Sequence, residues 1–292
     1  MAQEQPKHDT LPNFDRLWNW NDVAATEAKF REILPMAERA GDASYHVQLL
    51  TQIARTYSLR GKFAECHALL DTVEKMLTPD LKRATARYFL ERGRAFNSAN
   101  QLAKAMPVFT EAWRTAEAGG EMGLEIDALH MLAIAESDPH KKIEWNLKAI
   151  GLAEANPKFG WRRPLYNNIG DCYSAVQDYA NALIYYKKLI ALQSEGGGSP
   201  DIYTLKDEAR ATRLLGHPAE CLTIVKPIFD SMLANGTDDG WMREEVAESL
   251  QAQGKAEDAK PHFVKAYELL SKDDYCINYE QDKLKHLKQM AE

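Results

Sequence analysis

The feature that most constrains this chain is a pattern of helix breaks that recurs about every 39 residues. Breaks rich in Gly, Pro, Asn and Asp fall near residues 41, 79, 119, 157, 196 and 236, in steps of 38 to 40. A second series falls near residues 61, 100, 138, 177, 216 and 254, in steps of 38 or 39. Two series with one period predict a solenoid, in which each unit buries its apolar face only by stacking on its neighbours.

Each interval between breaks has the pattern of an amphipathic helix. Apolar residues recur at helical spacing in 49–59 and again in 63–77. No segment shows convincing strand alternation. Pro79 and Pro157 stand just past predicted helix ends, where they disturb no interior hydrogen bond. Each unit is therefore expected to be a helix, a tight turn, a second helix and a short link.

Length and hydrophobic content limit the kinds of protein that this chain can be. A length of 292 residues alone suggests about two domains. The period instead predicts one array of about six and a half units plus a cap, with no interior boundary. The hydrophobic fraction of 45% is enough for a sizeable core and excludes wholesale disorder.

Charge and cysteine content exclude further classes. Asp and Glu number 43 against 36 Lys and Arg, a net charge of −7, which argues against a nucleic-acid partner. The four cysteines form no CxxC pair, so buried free thiols in a reducing compartment are expected, with no metal. No stretch approaches 18 apolar residues and the N-terminus has no apolar segment, so we expect a cytoplasmic protein without a membrane partner.

Within the units, small and large residues recur at fixed places. A small residue in the first helix is followed by an aromatic or apolar residue, a turn, a small residue in the second helix and a large apolar residue. Three units show this order most clearly: Gly93, Phe96, Asn100, Leu102, Ala105, Phe109 and Ala112; Gly170, Tyr173, Gln177, Tyr179, Ala182 and Tyr186; Ala247, Leu250, Gly254, Ala256, Ala259, Phe263 and Ala266. Units around Ala54 and Ala209 fit as well, whereas the third unit keeps Leu132-Ala133 but has a shortened turn.

These units resemble tetratricopeptide repeats. The resemblance covers about residues 43–270 and implies an all-α, right-handed superhelical solenoid of antiparallel helix pairs. The 39-residue period is longer than the common unit and resembles the long-repeat subclass of kinesin-light-chain-like and bacterial adaptor arrays. The expected organisation is a flexible tail over 1–12, a capping half-repeat over 13–42, the repeat array over 43–272 and a C-terminal capping helix over 273–292.

The resemblance also implies which residues face the inner groove. In the family, ligands meet first-helix positions at offsets −6, −3, −2, +1 and +4 from the small residue. Among the positions this gives are Gln52, Leu90, Glu91 and Asp127. The candidate partner-binding residues are Arg55, Arg87, Arg94, His130, Asn167, Asn168, Tyr203, Lys206, Arg210, Arg213 and Trp241.

This set predicts a locally basic groove that binds an extended, partly acidic peptide or protein segment. Arginine offers a planar fork for carboxylates, and asparagine amides can hold a peptide backbone. An alternative stays open, in which these charges only pair with one another within the chain. Towards the last unit the groove turns acidic at Glu244, Glu245 and Glu248.

The predicted function is a non-enzymatic adaptor or scaffold. The alternatives are a peptide-sensing signalling regulator and an enzyme on a helical-repeat scaffold. The sequence contains no motif for a nucleophile elbow, a phosphate-binding loop or a zinc site, so no cofactor is expected. The Lys/Asn clamp of chaperone-tail binders does not occur at the matching offsets. A homo-oligomer is possible if one molecule's tail enters another's groove.

Overall fold

A computed structural model describes residues 11–292, and over that range the chain is helical without a strand. Three short 3₁₀ helices lie at Phe14–Leu17, Pro157–Phe159 and Glu195–Gly197. The α-helices are α1 (Val23–Ala40), α2 (Ala43–Leu59), α3 (Phe63–Glu74), α4 (Lys82–Ser98), α5 (Leu102–Ala118), α6 (Met122–Ala135), α7 (Pro139–Ala155), α8 (Arg162–Ala175), α9 (Tyr179–Ser194), α10 (Ile202–Leu214), α11 (Pro218–Ala234), α12 (Gly240–Ala252), α13 (Ala256–Leu270), α14 (Asp274–Tyr279) and α15 (Gln281–Ala291). The prediction of an all-α repeat array is confirmed.

Helices α2 to α13 form six consecutive hairpins, and the turns inside five of them share one backbone conformation. A residue with positive φ stands at Gly61, Asn100, Gln177, Gly216 and Gly254. Glycine adopts this left-handed region without steric cost, and asparagine tolerates it better than most residues. These positions are the predicted second series of breaks. The remaining hairpin, α6–α7, is joined by only three residues, 136–138, as the shortened turn predicts.

The small residues of the repeat allow the paired helices to approach closely. A Cβ atom added at Gly93 would lie 2.4 Å from Cε1 of Phe109, and one added at Gly170 would lie 2.5 Å from Cε1 of Tyr186. Both distances are shorter than any real carbon contact, so each ring packs directly on the glycine backbone. The ring from the second helix therefore fills the space that the small residue leaves.

Cys66 and Cys221 take the small-residue position of the second helix, as the repeat alignment predicts. Both are fully buried, and burial raises the pKa of each thiol to about 12. Cys276 is buried as well, whereas Cys172 is half-buried, and none of the four cysteines forms a disulfide within residues 11–292. The buried thiols are packing residues that stay protonated near neutral pH.

The described chain divides into two compact units, one ending at Trp161 and the other beginning at Arg162. The first contains α1 to α7 and the second α8 to α15. The boundary falls between the third and fourth hairpins, at a link of the first series. A single array without an interior boundary stays a prediction.

The ends of the array carry more segments than the sequence indicates. Before α1, the chain forms the short 3₁₀ helix at Phe14–Leu17; most of the predicted tail, residues 1–10, lies outside the described residues. The predicted single C-terminal cap helix is two helices, α14 and α15, which meet at Glu280. Leu287 of α15 is fully buried in a cluster with Phe263 and Leu270 of α13.

None of the helices within residues 11–292 is both long and apolar enough to span a membrane.

Candidate functional site

A cavity of about 580 Å³ lies in the first unit on the first helices of successive hairpins. Its volume is within the usual range for ligand sites in proteins. Seven of its lining residues are groove positions that the sequence analysis predicts: Gln52, Arg55, Arg87, Leu90, Glu91, Arg94 and Asp127. The structure therefore brings three candidate residues, Arg55, Arg87 and Arg94, onto one surface.

Aromatic rings from outside the predicted positions also line this cavity. Trp18 and Trp20 come from the segment before α1, with their rings stacked at 4.5 Å, and Phe159 and Trp161 come from the end of the first unit. The Arg55 guanidinium carbon lies 5.7 Å and 5.3 Å from the centroids of Trp18 and Trp20, within cation–π distance. The cavity thus combines a charged surface with aromatic walls.

Glu91 joins three polar side chains that line the cavity. Its Oε1 atom accepts hydrogen bonds from Gln52 Nε2 at 3.3 Å, Arg55 Nη1 at 3.1 Å and Arg94 Nη1 at 2.9 Å. Only 3% of the Glu91 side chain is exposed. Burial alone would raise the pKa of this carboxyl, but the surrounding guanidinium charges outweigh burial and lower it. Glu91 is therefore a buried carboxylate that stays ionised.

The other two arginines have carboxylate partners of their own. Arg94 bridges Glu91 and Asp127, with its Nη2 atom 2.5 Å from Asp127 Oδ1. Burial would lower the pKa of Arg94, but these two carboxylates raise it. Arg87 donates both terminal nitrogens to the two carboxylate oxygens of Asp15, at 2.7 Å and 3.0 Å.

The charges of the cavity consequently balance. Three arginines face three carboxylates, those of Asp15, Glu91 and Asp127. For Arg55, Arg87 and Arg94, internal pairing, which the sequence left open, is the arrangement present in the structure. The predicted excess of positive charge is absent from this part of the groove.

Three buried polar atoms at this cavity have no hydrogen-bond partner among residues 11–292. They are Nε of Arg55, Nε of Arg87 and Oε2 of Glu91. A buried donor or acceptor without a partner costs about 1–3 kcal/mol, so native proteins leave few of them. All three belong to residues that line this one cavity.

His130 lies beside this region, on α6. Its ring centroid is 5.4 Å from that of Trp161. Burial lowers the pKa of His130, and the charge of Arg94 acts in the same direction, outweighing Asp127. The imidazole is therefore neutral near pH 7 and adds no positive charge to the groove.

In the second unit, the predicted residues are distributed over three helices. On α8, Asn167 donates from Nδ2 to Asp171 at 3.2 Å, and Asn168 is half-buried beside it. On α10, Arg213 donates to both carboxylate oxygens of the buried Glu245, at 2.5 Å and 3.3 Å. This second buried ion pair repeats the internal pairing of the first unit.

Lys206, Tyr203 and Trp241 form a separate group. The Tyr203 hydroxyl donates to Asp239 at 3.0 Å, and Lys206 Nζ lies 5.5 Å from the Trp241 ring centroid. Lys283 of α15 contacts the same indole at 4.7 Å. Arg210 is exposed and has no ion pair with any residue of the described range.

Sequence reasoning missed Asp15, Trp18, Trp20, Phe159 and Trp161, which all line the cavity. They lie in the segment before α1 and in the link before α8, where no repeat offset applies. The clustered aromatics of the WNW motif at 18–20 were an available signal.

No group of three His, Cys, Asp or Glu side chains within residues 11–292 is placed to hold a metal ion.

Comparison with known proteins places the fold. The tetratricopeptide-repeat family profile matches residues 164–195, which span α8 and α9. No curated protein sequence matches the chain. Among solved structures, the chain is similar to BtubC (BKLC) from P. vanneervenii, with 14% identity and a TM-score of 0.56 over 76% of this chain and 92% of that one.

It is also similar to a signal transduction ATPase with numerous domains, which has a tetratricopeptide repeat sensor, from Pyrococcus horikoshii. Identity is 14% and the TM-score is 0.68, over 94% of this chain but only 46% of that one. This chain thus spans less than half the length of that relative. The hairpin turns with positive φ agree with this likeness: the chain has the fold of tetratricopeptide-repeat arrays, and residues 164–195 match the repeat itself.

Proposed function

We propose that this protein is a non-enzymatic interaction module that holds an extended peptide or protein segment, acidic over part of its length, along the first helices of its repeats. The observation that carries the proposal is the cavity of the first unit, which is lined by seven predicted groove positions. A site of this kind, concave and partly aromatic with a few polar groups, suits a side chain of a bound peptide better than a flat surface does.

Some of the arginines have hydrogen-bonding capacity that their carboxylate partners within the chain do not use, and this supports a partly acidic ligand. Arg55 shares one carboxylate oxygen of Glu91 with Arg94, and only Arg94 has a second carboxylate partner, Asp127. Burial and the charge of Arg94 lower the pKa of Arg55 in spite of Glu91. A further negative charge near Arg55 would stabilise it. In the second unit, Arg210 is exposed and available to a carboxylate.

The chain itself contains an example of the proposed contact. Asp15 reaches Arg87 through two parallel hydrogen bonds from a segment that lies outside the repeats. This bidentate geometry is the strong form of arginine–carboxylate recognition. An acidic residue in an extended segment is therefore compatible with these first-helix arginines.

The test selects binders from a displayed library of random peptides of about twelve residues against the full chain. Selected peptides are then titrated against Arg55→Lys and Arg210→Ala. Arg55→Lys keeps the charge but removes the planar fork, so we expect an affinity loss of about 10-fold, or about 1.4 kcal/mol. Loss with Arg210→Ala would extend the binding site to the second unit.

The matched control is Arg114→Lys, because Arg114 is an exposed second-helix arginine paired only with Glu111. It should bind selected peptides as wild type does. If the library yields no binder, or if selected peptides bind the Arg55→Lys variant unchanged, the groove is not a peptide site. Enrichment of neutral or basic peptides would refute the acidic preference alone.

A further inference from the structure

Part of the segment before α1 lies on the predicted ligand surface of the first unit. Residues 12–18, here called the strap, contact the first helices α2 and α4. Two groove positions that the repeat offsets assign to a ligand take their hydrogen-bond partners from the strap. Gln52 of α2 accepts from Nε1 of Trp18 at 3.2 Å, and Arg87 of α4 donates to both carboxylate oxygens of Asp15. The strap thus occupies the place of a bound segment.

One aromatic ring anchors the strap. Phe14 is only 5% exposed and packs edge-on against Tyr45 of α2, with ring centroids 5.1 Å apart. The Tyr45 hydroxyl also donates to the Pro12 carbonyl at 2.7 Å. The Arg87 guanidinium carbon lies 5.4 Å from the Phe14 ring centroid. Two consecutive strap residues, Phe14 and Asp15, therefore hold the same first-helix arginine.

Side chains hold the strap in place. Within residues 11–292, no hydrogen bond joins the main chain of the strap to the main chain of α2 or α4. Asp15 keeps 45% of its side chain exposed. Segments with few buried apolar contacts open at a low free-energy cost. Asn19, the residue after the strap, is instead tied to α1, because its N–H and its carbonyl both bond to the Thr26 hydroxyl. The strap can therefore leave the groove while Asn19 stays in place.

Resting on the proposed function, we propose that the strap is an exchangeable occupant of the first-unit groove and that a segment bound along α2 and α4 displaces it. The cavity of about 580 Å³ is the part of this groove that the strap leaves open. Displacement removes the wall formed by Trp18 and frees Arg87 for a carboxylate of the ligand. The apparent affinity for a ligand is lowered in proportion to the fraction of molecules in which the strap is closed over the site.

Occupation within the chain sets how tightly the same segment must bind as a separate molecule. A segment joined to its site by a short link acts at an effective concentration of about 1 mM. A strap that is closed in about nine molecules of ten therefore requires a dissociation constant of about 0.1 mM or tighter for the separate segment. This value can be tested without any library peptide.

The first experiment supplies the strap as a separate molecule. The probe is a fluorescein-labelled peptide of residues 11–20, titrated against the wild-type full chain and the Phe14→Ala/Asp15→Ala double variant. Fluorescence anisotropy should give a dissociation constant of about 0.1 mM or tighter for the variant, whose own strap has lost both anchors. The wild type should bind at least about 10-fold more weakly, because its site is filled. A control peptide with the same two alanines should bind neither protein.

Two results of this titration would overturn the proposal. They are no binding to the folded double variant up to about 1 mM, and equal binding to both proteins. In either case the strap is a permanent part of the fold. Cooperative thermal unfolding establishes that the double variant is folded. If it is not, Asp15→Asn, which removes only the charge of the pair with Arg87, takes its place in the same titration.

The second experiment asks whether ligands compete with the strap. Peptides from the library selection should bind Asp15→Asn about 3- to 10-fold more tightly than wild type, because the ion pair that holds the strap is lost. Arg16→Ala is the matched control, since Arg16 is an exposed residue of the same 3₁₀ helix. It should bind as wild type does. In the wild type, trypsin cleavage after Arg16 should become faster when a peptide is added, a change that altered charge alone would not produce.

The outcomes separate this proposal from the one on which it rests. If the strap peptide binds the double variant but the library yields no binder, the strap is exchangeable and the peptide-binding function fails. If library peptides bind in an Arg55-dependent way, yet bind wild type and Asp15→Asn equally and leave cleavage after Arg16 unchanged, the groove stands and displacement of the strap is wrong.

Discussion

Gln52 Nε2 donates a hydrogen bond to Glu91 Oε1 across 3.3 Å, and the two residues are 39 positions apart in the sequence. That separation is one repeat. Lys283 and Glu244 repeat it at the other end of the chain: they are also 39 positions apart and are joined at 2.8 Å. First helices of successive units thus contact one another at equivalent positions, and α15 takes the register of a further first helix.

Removing the Glu91 carboxylate should destabilise the first unit strongly. Glu91→Leu would leave Arg55 without its carboxylate partner and Arg94 with only Asp127. Breaking a buried ion pair by removing one partner costs about 3–5 kcal/mol. Urea unfolding measures the change, with Glu111→Leu as the control because Glu111 pairs with Arg114 at the surface. Equal effects of the two substitutions would show that the buried ion pairs of Glu91 do not stabilise the first unit.

Glu91 should also contribute to acid sensitivity. Its pKa is lower in the folded protein than the usual value of 4.5, so below that value the unfolded state binds more protons. The Glu91 contribution to stability is complete above about pH 5 and is lost as the pH falls through the folded-state pKa. Urea unfolding between pH 7 and pH 3 should therefore show a smaller pH dependence for Glu91→Gln than for wild type. Parallel curves would contradict the lowered pKa.

Two glycine substitutions should have opposite effects. Gly93→Ala places a methyl group within 2.4 Å of the Phe109 ring, and overpacking of this kind costs about 1–3 kcal/mol. Gly151 lies inside α7 with no atom within 4 Å of an added Cβ, so Gly151→Ala should stabilise by about 0.5–1 kcal/mol. Thermal unfolding of both variants checks the pair, and a destabilised Gly151→Ala would be the contrary result.

The thiols should react in two classes. Cys66 and Cys221 are fully buried with pKa values raised to about 12, and Cys276 is buried with its pKa raised to about 11. Reactivity depends on the thiolate and on access, so a disulfide reagent at pH 8 should modify these three only after unfolding. Half-buried Cys172 should react first. The thiols are titrated with the reagent with and without urea, and the modified residues are identified by mass spectrometry. Fast modification of Cys66 in the native state would contradict the predicted order of reactivity.

Helix α15 should be a structural cap. Leu287 is fully buried against α13, so Leu287→Ala should cost about 2–5 kcal/mol. Lys285 is exposed on the same helix, and Lys285→Ala should change stability by no more than about 0.5 kcal/mol. Urea unfolding compares the two variants. If Leu287→Ala is as mild as its control, α15 does not complete the core.

The repeat fold could be predicted from the sequence because its signals are local. Turn residues such as Gly61 and Asn100 recur at one period, and a small residue such as Gly93 stands sixteen positions before the ring that covers it. These relationships hold within one hairpin and recur in the next. Register between hairpins then follows, and with it the set of first-helix residues that share a surface.

The ion pairs and contacts that those residues make were decided only by the tertiary structure. Arg87 receives its partner from Asp15, 72 positions earlier and outside every repeat. Trp18 likewise reaches the groove from the segment before α1. Charge pairing and cavity walls depend on which distant side chains fold back to a helix, and no periodicity encodes that. The sequence determined that the chain is a helical repeat array with arginines on the first helices of its hairpins. The tertiary structure decided that Arg55, Arg87, Arg94 and Arg213 pair with carboxylates of the same chain, because these partners converge only when the chain folds.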